Sequence, residues 1–88
     1  MDELIVAEHA FKHGLTAEDV LYAWENSFVA QRRLAPHEDQ IVVVGLTKDG
    51  KVAELIGSQK ASCIVIYHAM VPPTKRVLME VGLVRSGK

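Results

Sequence analysis

The sequence predicts an α+β domain with two N-terminal helices, a four-stranded antiparallel sheet and one C-terminal helix. Three observations point there. Apolar residues recur at helical spacing as far as Trp24. Four strand-like runs then follow, joined by turns too short for a parallel crossover. After the last run, Pro72 and Pro73 open a stretch whose Val77, Leu78 and Val81 return to helical spacing. Helices packed on such a sheet make a layered α+β arrangement.

Taken in order, residues 3–13 place Leu4, Ala7 and Phe11 on one helical face, and Gly14 ends the segment as a C-cap with Lys12 and His13 in its last turn. Thr16 is the N-cap of a second helix, with Glu18 and Asp19 in its first turn and Ala17, Val20, Leu21 and Trp24 on its buried side up to about Asn26. Residues 28–34 read as a polar edge strand that points Arg32 and Arg33 to opposite faces. Residues 36–39 form a turn. Residues 40–46 are a β-branched run, apolar on both faces, and hence an inner strand. Lys48-Asp49-Gly50-Lys51 is a hairpin signal, and residues 52–56 return from it, with Glu54 interrupting their apolar pattern. After a turn at 57–60, residues 63–71 form a central strand. Strict alternation sets Cys63, Val65, Tyr67 and Ala69 on one face and Ile64, Ile66, His68 and Met70 on the other. The last helix spans about Pro72 to Val81, with Thr74, Val77, Leu78 and Val81 as its buried stripe and Gly82 as its stop. His68 therefore stands where a core strand surfaces and a helix start offers backbone N–H groups.

The 88 residues are read as a single domain, 1–88, without repeats or linkers. A domain of this size buries roughly 60–65% of the surface its unfolded chain exposes, so a partner or a second copy would add stability. Hydrophobic residues make up 49% and charged residues 24%, as in soluble globular proteins. The net charge of −1 argues against a strongly cationic nucleic-acid binder and leaves room only for a local basic patch. The single cysteine, Cys63, lies in an apolar strand and reads as a core residue. No apolar run approaches the ~20 residues of a membrane span. The acidic opening Met1-Asp2-Glu3 is unlike a secretory signal, so the expected compartment is the cytoplasm. The histidines and the cysteine lack metal-ligand spacing, and there is no nucleotide-binding glycine loop or Gly-x-Ser-x-Gly elbow, so neither metal nor cofactor is expected.

Several words of the sequence, in this order, resemble the BrnT-type toxins of bacterial toxin–antitoxin pairs. Phe11-Lys12-His13-Gly14-Leu15-Thr16 is similar to their Lys-His-Gly opening. Ile41 to Thr47 with the Gly50 turn is similar to their central hairpin, and Ile64 to Met70 with Pro72, Pro73 and Lys75 to the end of their last strand. The similarity runs over about residues 11–82. It departs where typical members place a strand-end arginine, since His68-Ala69-Met70 stand there, as in a looser branch of BrnT-like proteins. The resemblance implies a RelE-like ribonuclease fold, RNA cleavage, and neutralisation by a small antitoxin, expected to be of the ribbon-helix-helix type.

Within that frame His68 is the expected acid–base residue, because imidazole titrates near neutral pH and RNA cleavage moves a proton from the 2′-OH and one to the leaving oxygen. His13 would be its partner if the first loop packs near the end of the last strand. Lys75, Arg76, Lys12 and one of Arg32 or Arg33 would hold phosphate. The bland uses of the same residues are a ring bonded to nearby backbone, cations complementing a helix end, and a solvated helix or strand edge. The alternative function is a non-catalytic module on the same fold, acting through an exposed edge strand or as a homodimer.

Overall fold

The computed structural model describes residues 3–85. Five strands form one mixed sheet: β1 (Glu3–Val6), β2 (Ser27–Arg32), β3 (Gln40–Leu46), β4 (Val52–Gln59) and β5 (Cys63–Met70), in the order β1-β5-β4-β3-β2. Helix α1 (Ala17–Glu25) lies on one face, and helix α2 (Lys75–Glu80) lies on the other. No helix among the described residues is long and apolar enough to cross a membrane.

The expected four-stranded antiparallel sheet with three helices is thus corrected. The segment expected as the first helix is instead strand β1 followed by one 3₁₀ turn, Glu8–Phe11. Its Leu4-Ile5-Val6 run suits an extended chain, and β1 pairs parallel to β5 from Glu3↔Cys63 to Val6↔Ile66. The ladder continues through the Ala7 amide, which donates to the Ile66 carbonyl at 2.9 Å. Pairing uses the first half of the segment, so fewer than two helical turns remain before Gly14, whose φ of 88° ends the 3₁₀ turn. The long crossover that a parallel pair needs is supplied by everything between β1 and β5.

Helix α1 forms where the pattern placed it. Thr16 and Asp19 make a reciprocal capping box, with both bonds at 3.1 Å. Val20 and Ala23 are fully buried against Val43, Ala53, Leu55, Ile66 and Ala69, with Trp24 and Leu21 packed around them. The close approach depends on Gly45, because a Cβ there would run into the Ala23 carbonyl oxygen. The opposite face is smaller. Val77 and Val81 of α2 cover Val42 and Val44, with Val29 alongside.

Strict alternation fails in β5. Ile56 pairs with His68 but Gly57 pairs with Ile66, so Tyr67 is an extra residue in a bulge. The bulge reverses the side-chain sequence midway. By register, Ile64, Ile66 and Ala69 face α1, while Val65, His68 and Met70 face the side of α2. Strand β4 also runs further than expected, through Gln59, because residues 57–59 stay paired to β3 and β5.

Candidate functional site

Glu54, the residue that breaks the apolar pattern of β4, is 3% exposed. By register it faces the side of α2, between Val44 of β3 and Met70 of β5. A carboxylate buried this deeply must be bonded or give up its charge. Here both oxygens are bonded. Oε1 accepts from the Thr74 amide at 2.6 Å and from the Thr74 hydroxyl at 2.8 Å. Oε2 lies 2.7 Å from Nε2 of His68, one register step away on the neighbouring strand. Burial alone would push the Glu54 carboxyl up, but the bonds from the Thr74 amide, His68 and the Thr74 hydroxyl outweigh it and hold it below its ordinary value. An ionised carboxylate only accepts, so His68 meets it with an Nε2–H.

Thr74 is the N-cap of α2, and its hydroxyl oxygen accepts from the Val77 amide at 3.2 Å. Helix α2 therefore begins at Lys75 and not at Pro72, and Thr74 serves as cap rather than as part of a buried stripe. Two of the donors expected to be open to phosphate at this helix start are used within the protein: the Thr74 amide by Glu54, and the Val77 amide by the Thr74 hydroxyl.

His13 follows the 3₁₀ turn and is exposed, while the His68 side chain keeps 26% of its surface open. Their ring centroids are 5.8 Å apart, with the planes at 75°. The structure thus brings together the two histidines expected to share a site. The edge-to-face approach leaves no room between the rings, so a substrate would lie across the pair.

The cations divide into two groups. Lys12 is next to His13 in the chain, and Lys75 and Arg76 open α2. All three are exposed and make no ion pair among the described residues. Arg33 is committed elsewhere. It grips Glu80 of α2 through Nε at 2.8 Å and Nη2 at 3.1 Å, and its Nη1 donates to Gln40 at 2.6 Å. Arg32 donates to the Glu38 carbonyl at 2.8 Å. The Arg33 guanidinium is thus engaged within the fold, whereas Arg32 is exposed and spends one of its five N–H donors on that carbonyl. Next to His68, burial pushes the Tyr67 phenol up, opposed by the charge of Arg33 and reinforced by that of Asp39. Among the described residues, no three His, Cys, Asp or Glu side chains gather to hold a metal ion.

The sequence expectations missed Glu54 and the capping role of Thr74. A usable signal existed. An acid in an inner strand requires a partner, and a histidine lay at a similar depth in the next strand. What pairs them is the β5 bulge, which no sequence pattern announced. No family model, curated protein or solved structure matches the chain.

Proposed function

We propose that the protein is a metal-independent ribonuclease of the toxin type, neutralised by a small antitoxin protein, with His68 and His13 as its proton carriers. The observation that supports it is the histidine pair at 5.8 Å, one ring fixed by a buried carboxylate and the other open to solvent. In the Nε2–H form, the free Nδ1 of His68 takes the proton of a ribose 2′-OH. The 2′-oxygen attacks phosphorus, the bond from phosphorus to the 5′-oxygen breaks, and protonated His13 gives its proton to that oxygen. The products are a 2′,3′-cyclic phosphate and a 5′-hydroxyl end. Lys12, Lys75 and Arg76 supply positive charge beside the reacting phosphate. The resemblance to BrnT-type toxins points to the same chemistry.

The test is cleavage of single-stranded RNA in EDTA. The wild type should produce cyclic-phosphate ends with a bell-shaped pH dependence. His68→Ala and His13→Ala should each lower kcat/KM by about 10²–10⁴-fold, and Lys75→Ala should mainly raise KM. Cleavage that survives both histidine substitutions removes the assignment.

A second reading, a non-catalytic binding module, is favoured by the outer edge of the sheet at β2, where Phe28 is 52% exposed and Leu34 just beyond the strand is 86% exposed. Such an edge can take an added strand from a partner. Absence of both RNA cleavage and growth arrest on expression in bacteria selects this reading.

A further inference from the structure

We propose that Glu54 is the positioning residue of the histidine site, one buried carboxylate that sets the tautomer of His68 and seats the start of α2 at the same time. The catalytic part of this inference rests on the ribonuclease reading above; the structural part does not.

Three donors converge on two oxygens. Thr74 brings its amide and hydroxyl to Oε1, and His68 brings Nε2 to Oε2. A carboxylate satisfies all three, because each of its oxygens only accepts. A carboxamide of the same shape cannot. It has one accepting oxygen, which the two Thr74 donors would claim, and its NH₂ would then face His68. A ring facing an N–H donor must accept through Nε2, so its proton moves to Nδ1. That is the atom the proposed reaction needs as a base. A single O-to-NH₂ exchange at Glu54 therefore blocks the base while leaving volume, burial and the helix cap in place. Glu54 itself is too deeply buried to touch RNA, so it acts only through the ring it holds.

Few other charges bear on this pair. His13 stands against His68 from the segment after the 3₁₀ turn, Tyr67 precedes His68 in β5, Lys75 and Arg76 follow Thr74 in α2, and the Arg33–Glu80 pair joins the residue after β2 to the far end of α2. None of them bonds to the Glu54 carboxylate, so the tautomer is set at Glu54.

The experiment is ring ¹⁵N NMR of the full chain at about pH 8.5, where an imidazole is ordinarily neutral. The wild type should show His68 as the Nε2–H tautomer. Glu54→Gln should show Nδ1–H, with the Thr74 and Val77 amide signals little displaced. Thr74→Ala should leave the tautomer as in the wild type. A wild-type ring in the Nδ1–H form, or one unchanged in Glu54→Gln, overturns the proposal. If Glu54→Gln does not fold, the wild-type tautomer alone decides it. In the cleavage assay, Glu54→Gln should lower kcat at least tenfold with KM within about twofold, the signature of a group acting in the transition state only. A kcat equal to that of the wild type overturns the catalytic part. An Nε2–H ring in a protein that cuts no RNA retires the ribonuclease reading and leaves the positioning of His68 by Glu54 standing.

Discussion

Towards α1 the sheet presents Val43, Ala53, Leu55, Ile66 and Ala69, each no more than 1% exposed, and the helix answers with Val20 and Ala23. On the side of α2 it presents Val42 and Val44 beside Glu54 and His68, and a helix of only six residues answers. The first face is held by apolar burial, which is non-directional and adds up with area. The second is held by a few valines and by bonds that need exact partners: Thr74 on Glu54 at one end of α2, and Arg33 on Glu80 at the other. The buried polar cluster of Glu54, His68 and Thr74 lies on the second face for that reason. A carboxylate and an imidazole can be kept at fixed separation only where the packing admits polar groups and the backbone supplies donors.

The contrast can be broken most strongly from the α1 side. Leu55 is fully buried in the larger cluster, so Leu55→Ala should cost about 2–5 kcal/mol in urea unfolding. Val77→Ala on the other face removes less and should cost roughly 2 kcal/mol. Equal costs would mean that the two faces share one core.

The Glu54 anchor is read through pH. Its folded-state pKa lies below the ordinary 4.5. Between the two values the unfolded chain binds the extra proton, so stability rises with pH there. The contribution is complete above about pH 4.5 and is lost as pH falls through the folded value. Urea midpoints of the wild type should therefore fall in that acid window, and those of Glu54→Gln should fall less. Parallel profiles would show that the carboxylate does not hold α2.

The smallest expected effect is at the far end of α2. Arg33 and Glu80 are each about one-quarter exposed and doubly bonded, so Arg33→Met should cost about 1 kcal/mol. The loss should shrink in about 1 M salt, where charges are screened over ~3 Å. A loss that is independent of salt would assign the contact to packing of the arginine stem.

Local chemistry decided much of the fold from the sequence alone. The capping box at Thr16 and Asp19, the periodic apolar face of α1, the β-branched run of β3 and the Gly50 turn are written in neighbouring residues, and each forms where the pattern places it. So was the position of β2 at an outer edge, which follows from its polarity. Three things depended on distant partners and were not legible. The chain from Glu3 to Val6 carries both a helical and an extended pattern, and only the free edge of β5 selects the second, by offering backbone bonds that a short helix before Gly14 cannot match. The extra residue at Tyr67 changes which side chains of β5 share a face, and a bulge is a property of the paired register. Glu54 looked like a defect in an apolar strand. Folding brings a histidine from one neighbour and a helix cap from another to within 2.8 Å of its oxygens, and a charge that no local pattern could justify becomes the group around which the second face is arranged.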